Sequence, residues 1–257
     1  MIFLKTEDEI ELMRAANRLV AKTLAEVGKH IRPGVTTIEL DRVAEEFIRD
    51  NGAVPTFKGY PNPCGGTPFP ASICTSVNDV VIHGIPSKKK ILKSGDIISL
   101  DVCIDLDGYI SDSTHTYEIG KVSEEVHNLN VATEKSLYMA IDAVSKPGAR
   151  IQAVGEAVSK YMRKLGYGVV RDYCGHGVGL ELHEEPQVPN YVSALNPNPR
   201  VRKGMVFAIE PMINLGTYKI YVANDGWTVH TFDGKPSAHW EHTVAMTDDG
   251  LEILTTL

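Results

Sequence analysis

The chain has 257 residues, of which 43% are hydrophobic and 23% charged, and a formal net charge of −7. That length leaves one large domain or two modest ones open, and the composition excludes a disordered or fibrous chain. The acidic balance argues against a nucleic-acid face, which needs a basic patch or stripe, and no apolar run approaches the roughly 20 residues of a bilayer span.

The apolar start Met1-Ile2-Phe3-Leu4 gives way at once to Lys5, Glu7, Asp8 and Glu9. It is too short for a signal peptide and lacks a basic segment before it, so a cytoplasmic chain with no membrane partner is expected. Thr6 to Glu9 reads as a capping box opening a helix to about Lys29, with Pro33-Gly34 beyond its end. A second box, Thr36 to Glu39, starts a helix ending near Asn51-Gly52. Lys88-Lys89-Lys90 with Lys93 reads as a solvated loop. Ile97 to Ile104 predicts a strand, Asp107-Gly108 a hairpin turn, and the chain then returns. Ser123-Glu124-Glu125 starts a long helix that stops before Pro147-Gly148, and another runs to about Leu165-Gly166. Cys64, Cys74, Cys103 and Cys174 form no C-x-x-C pair and are expected to be reduced thiols.

The chain also repeats itself. Aligning Pro33-Gly34 with Pro147-Gly148 carries Phe47 onto Tyr161, Arg49 onto Arg163 and Gly52 onto Gly166. Further on, Gly95 to Asp101 parallels Gly204 to Glu210, each a glycine followed by an apolar strand that ends on a carboxylate. His83-Gly84-Ile85-Pro86 echoes His183-Glu184-Glu185-Pro186. A period of about 110 residues is too long for a solenoid unit. Two related α+β halves are expected, helices on one face of an antiparallel sheet, with Asp101 and Glu210 facing each other across a cleft.

The carboxylates raise the question of metal. Asp101 ends one apolar strand and Asp112 lies on its return. Neighbouring carboxylates repel unless a cation lies between them or one is protonated. Asp112 is therefore either a ligand or, like Asp105 and Asp107, an exposed hairpin residue. Glu210 closes the apolar run Met205 to Ile209, a position expensive to bury without a partner. Glu241 leads into another strand, and His176 sits among Gly175, Gly177 and Gly179, which point to close backbone approach or unusual dihedrals. Four oxygen ligands and one imidazole suit divalent Mn, Fe, Co or Zn, and a bridging carboxylate makes two ions more natural than one. His183-Glu184-Glu185 is not a zincin motif, since Gln187 stands where the second histidine would be.

These residues resemble type I methionine aminopeptidases. The likeness runs over nearly the whole length and is carried by Val81 to Pro86, Asp101, Asp112, Tyr173 to Gly179, His183 to Pro186, Ile209 to Met212 and Trp240 to Thr243. It implies the pita-bread fold of peptidase family M24: α+β, internally duplicated, an antiparallel sheet covered by helices around a central dimetal site. Residues 1–257 would form a single catalytic domain, with pseudo-twofold halves of roughly 1–120 and 121–257. By resemblance, Asp101, Asp112, His176, Glu210 and Glu241 are the ligands of two divalent ions. Asp112 and Glu241 would bridge or chelate, with Asp101 on one metal and His176 and Glu210 on the other. A monovalent cation is a further implied cofactor, although Ser99 stands where the family commonly has Asn. His83 and His183 would contact substrate, and Phe57, Tyr60, Cys74, Leu182 and Trp227 would line a methionine pocket. Leu182 replaces an expected aromatic residue, and Pro61 to Pro68 looks longer than the family pattern.

The implied activity is removal of the N-terminal methionine from nascent or newly made proteins with a small second residue, by attack of a metal-bridged hydroxide on the first peptide bond. Glu210 would shuttle the proton, and His83 and His183 would stabilise the developing charge. A monomer is expected, and the ribosome is a further expected partner. The alternatives are a proline-specific relative (prolidase or aminopeptidase P), which usually carries an extra N-terminal domain, and a non-catalytic pita-bread binding module.

Overall fold

The computed structural model describes residues 1–63 and 65–257, so Cys64 lies outside the described residues. Local capping chemistry sets the helices. Helix α1 (Glu7–Gly28) starts where Thr6 Oγ1 accepts from Glu9 N at 3.3 Å while the Glu9 carboxylate accepts from Thr6 N at 2.7 Å. Helix α2 (Thr37–Asp50) begins where the Glu39 carboxylate accepts from Thr36 N at 2.8 Å. Ser123 caps α3 (Glu124–Ser145), and α4 (Gln152–Leu165) ends on Gly166 in the left-handed region at φ 79°, where glycine costs least. The pairs match in length: α1 and α3 have 22 residues each, α2 and α4 have 14 each. That is the duplication expected from the repeat.

Among the described residues, fifteen strands follow these helices in two sets. The first set is β1 (Val54–Pro55), β2 (Cys74–Val77), β3 (Val80–Ile82), β4 (Ile97–Leu106) and β5 (Tyr109–Glu118). The second is β6 (Gly168–Val169), β7 (Gly175–Gly177), β8 (Glu184–Val188), β9 (Val206–Ile209), β10 (Met212–Asn214), β11 (Ile220–Val222), β12 (Val229–Thr231), β13 (Ser237–His239), β14 (His242–Thr247) and β15 (Gly250–Ile253). All their pairings are antiparallel. The β4–β5 hairpin turns through Asp107 at φ 54° and Gly108 at φ 85°, the paired positive angles of a type I′ turn.

Among the described residues the strands form four antiparallel sheets. One break between them has a local cause. His242 pairs with Ile209 and Met212 with His239, so β9–β14 and β10–β13 are one ladder in one register, interrupted at Glu210-Pro211 and Trp240-Glu241. Pro211 has no N–H to give the ladder. The Glu241 N–H leaves it altogether and donates to Thr114 O of β5 at 2.9 Å.

Alternation along the strands separates helix-facing from inward-facing residues. On β4, Ile98, Leu100, Val102 and Ile104 pack in one core with Leu19, Val20 and Leu24 of α1 and Leu40, Ala44 and Ile48 of α2. Phe207, Ile209, Ile213 and Val244 do the same with α3 and α4. The opposite faces of both halves look inward, and a hydroxyl seam joins them. Thr116 Oγ1 donates to His239 O at 2.7 Å and accepts from His239 N at 3.1 Å. Ser113 Oγ donates to Glu241 O at 2.7 Å, and Thr243 Oγ1 to Asp112 O at 2.8 Å. Among the described residues no helix is long and apolar enough to cross a membrane.

Thr116→Val keeps the shape of the seam but leaves the His239 N–H and C=O without their buried partner. It is expected to cost about 1–3 kcal/mol, read as a lower urea midpoint at unchanged slope. An unchanged midpoint would show that the seam carries no stability.

Candidate metal centre

Register places the four carboxylates. Asp101 of β4 stands opposite Cys74 of β2 on one side and Thr114 of β5 on the other, while Asp112 stands opposite Cys103. Asp101 and Asp112 are thus diagonal neighbours on one face of the hairpin, the inward one. Asp112 is 4% exposed, so the exposed-hairpin alternative does not describe it. Glu210 and Glu241 occupy the interruption of the second ladder and share one rung in its register. Both backbones are fixed, Glu241 through Thr114 O and Glu210 through its carbonyl, which accepts from Asn190 Nδ2 at 2.9 Å.

His176 lies on the short strand β7, and the three glycines around it mark close backbone approach rather than unusual dihedrals. A Cβ on Gly175 would collide with Ala208 O, one on Gly177 with Glu185 O, and one on Gly179 with Lys5 and Glu184; none of the three has a positive φ. The His176 Nδ1–H donates to Gly177 O at 3.0 Å. The Nε2 lone pair is therefore free for a cation, the usual arrangement of a ligating imidazole. Nε2 lies 3.8 Å from Asp112 Oδ2 and 3.7 Å from Glu210 Oε1. Ligand atoms of Asp112, His176 and Glu241 all lie within 4.8 Å of one another.

Electrostatics make this cluster costly without a cation. Burial first, then the neighbouring carboxylates Glu241, Asp101 and Glu210, push the Asp112 carboxyl well above its ordinary value. Burial and Asp101 do the same to Glu210, and burial with Glu210 and Asp101 to Glu241. Burial raises Asp101 as well, opposed by His239. Asp101 Oδ1 and Asp112 Oδ1 are buried with no hydrogen-bond partner. Burial also pushes the His176 imidazole down to about 3, so it is a neutral donor at physiological pH. Oxygen-rich donors, two orphaned carboxylate oxygens and one oriented neutral imidazole fit a divalent cation.

The remaining residues singled out from the sequence line the same cavity, of about 200 Å³: His83, His183, Phe57, Tyr60, Cys74, Leu182 and Trp227. Leu182 and Trp227 are buried, and Tyr60 OH lies 2.9 Å from His183 Nδ1. His183 stands 4.5 Å, ring to ring, from His176 and keeps one side open to solvent. His83 sits at a positive φ of 56°, edge-on to Tyr173 and Trp227, and burial pushes it down to about 4. Ser99 spends its hydroxyl on Thr116 Oγ1 at 2.8 Å.

Several contributors escape a reading of motifs. Phe69, beyond the long rim stretch, packs edge-on to Phe57 and Trp227 and lines the cavity. Thr114 Oγ1 donates to Glu241 Oε2 at 2.9 Å. His239 is buried, with Nε2 3.3 Å from Glu210 Oε2. Its signal was parity: two residues before Glu241 on an extended chain, it faces the same side.

In the metal-free protein the raised carboxyls contribute stability that is present at low pH and lost as pH rises through their folded-state values. Asp112→Asn removes one of them. Metal-free Asp112→Asn is expected to melt about 2–4 °C above the parent at pH 7.5, a gain that shrinks towards pH 4. It is also expected to bind Mn²⁺ at least about 100-fold more weakly by calorimetry. Parental Mn²⁺ affinity would remove Asp112 from the centre.

A family model, metallopeptidase family M24, matches residues 11–248. A methionine aminopeptidase of Clostridium acetobutylicum is 48% identical over 255 residues, covering 99% of each chain. The crystal structure of a methionine aminopeptidase from Thermotoga maritima superposes with a TM-score of 0.92 at 41% identity, over 100% of both chains. A prolidase from Pyrococcus furiosus is more distant, with a TM-score of 0.76 at 25% identity; this chain spans 65% of its length. The pita-bread architecture, a donor set fit for divalent metal and this full-length likeness converge: the chain belongs to metallopeptidase family M24 and, within it, to the methionine aminopeptidases.

Proposed function

We propose that the chain removes the N-terminal methionine from peptides and newly made proteins with a small second residue, using two divalent ions drawn from Co, Mn, Fe and Zn. The observation that carries this reading is one cavity of about 200 Å³ with an apolar wall of Phe57, Phe69, Leu182 and Trp227 beside a cluster of carboxylates. An apolar wall of this kind suits one flexible thioether side chain. On the same reading residues 1–257 act as one catalytic unit, with halves of about 1–120 and 121–257.

Asp101, Asp112, His176, Glu210 and Glu241 would hold the ions. Bound there, the ions supply a Lewis acid that brings the pKa of water close to neutrality. The protein groups do the rest. A free α-amino group held at the ion site would set the first peptide bond at the centre and restrict cleavage to N-termini. Glu210 takes a proton from the attacking water and returns it to the departing amine. If Tyr60 donates its O–H to His183 Nδ1, the proton of the neutral ring sits on Nε2, from which it can stabilise the developing oxyanion. His83, kept neutral by burial, contacts the departing amide.

The peptide Met-Ala-Ser is the expected substrate, against no turnover of an X-Pro dipeptide. The reverse preference would assign the chain to the proline-specific branch. Chelation is expected to abolish turnover, and Mn²⁺ or Co²⁺ to restore it. Glu210→Gln should lower kcat by about 10²–10⁴-fold; cleavage at the parental rate would remove Glu210 as the proton carrier.

A further inference from the structure

The loop from Gly179 to His183 carries two cavity residues, Leu182 and His183, yet contains no helix or strand to hold them. Its shape is held by Glu184 at the start of β8. Glu184 Oε1 accepts from Leu180 N at 2.9 Å and from Glu181 N at 3.4 Å, closing the loop from within. The other oxygen, Oε2, pairs with Lys5 Nζ. The side chains of this pair are 5% and 6% exposed. Burying a carboxylate is costly without a cation beside it, and removing either partner leaves the other uncompensated.

Lys5 is itself anchored. Its N–H donates to Gly204 O at 2.6 Å, Gly204 N donates to Met246 O at 2.8 Å, and Ile2 bridges to Glu185. The surroundings make room for the pair: a Cβ on Gly179 would collide with the end of Lys5 and with Glu184, and one on Gly204 with the Lys5 backbone. Gly179 O also accepts from Ile110 N at 2.7 Å, two residues before Asp112. The N-terminal segment, the loop and the ligand-bearing hairpin thus meet at one point.

We propose that Lys5 is a positioning residue: through its buried pair with Glu184 it latches the N-terminal segment onto the loop and sets His183 against the substrate. The inference rests on the reading of His183 as a substrate-contacting group. It gives work to Glu184, a member of the His183-Glu184-Glu185-Pro186 motif that does not line the cavity, and it accounts for the last of the three glycines after Cys174.

The test is a double-mutant cycle on the Mn²⁺-loaded enzyme with Met-Ala-Ser, using Lys5→Met, His183→Ala and their combination. Lys5→Met is expected to lower kcat about tenfold or more, since small misplacements of a catalytic group are costly. Bound manganese per chain should not change. In the His183→Ala background the same substitution should lower kcat less than about twofold, because residues acting through one another are not additive. Hydrogen exchange at the Leu180 and Glu181 amides should quicken in Lys5→Met, with the rest of the chain unaltered. Equal losses in both backgrounds, or parental exchange at those amides, would overturn the latch. Full turnover by His183→Ala would overturn the reading of His183, and the latch's catalytic role with it. Should Lys5→Met fail to fold, Glu184→Gln takes its place with the same expectations.

Discussion

Four carboxylates held in one buried cluster repel each other, and this molecule tolerates that only by fixing each one from behind. Asp101 and Asp112 are held by the long β4–β5 hairpin, Glu241 by Thr114, and Glu210 by Asn190 and the rigid Pro211 that follows it. None of these restraints neutralises charge. They hold the donors in place and leave the compensating charge to be supplied by a divalent cation. The helices take no part in this: they cover the outer faces, where apolar burial provides the stability that the centre withdraws.

The seam between the halves follows from the same constraint. Both ladders carry their carboxylates on inward faces, Asp101 and Asp112 within β4–β5 and Glu210 and Glu241 at the interruption of the second. Hydroxyls of Ser113, Thr114, Thr116 and Thr243 do the joining. Each is short enough to reach a backbone or carboxylate oxygen and adds no charge of its own. Polar residues whose positions look arbitrary in sequence thereby acquire a reason.

Much of this was legible in the sequence. Capping boxes mark α1 and α2, Asp107-Gly108 marks the hairpin, and the internal repeat announces paired elements. The resemblance named the cavity residues that the structure brings together. What could not be read were features made by register rather than by composition. The division into four sheets depends on where Pro211 falls relative to Trp240, a relation between distant strands. His239 stood in plain view beside Glu241, but an imidazole gains meaning only when the strand's inward face is known. Phe69 and Thr114 were hidden for the same reason: one lies past an irregular rim, the other is an unremarked hydroxyl opposite Asp101.

The shared rung of Glu210 and Glu241 has an evolutionary consequence. Strand residues alternate sides, so inserting or deleting one residue between Ile209 and Met212, or between His239 and His242, would turn a carboxylate away from its partner. The stretch between those two strands is under no such rule, because the ladder registers only its two ends. Length changes between Leu215 and Pro236 are limited by Trp227 and the β11–β12 and β12–β3 pairings, while the two short interruptions keep their spacing. Length conservation, more than residue identity, would be the lasting signature of this centre.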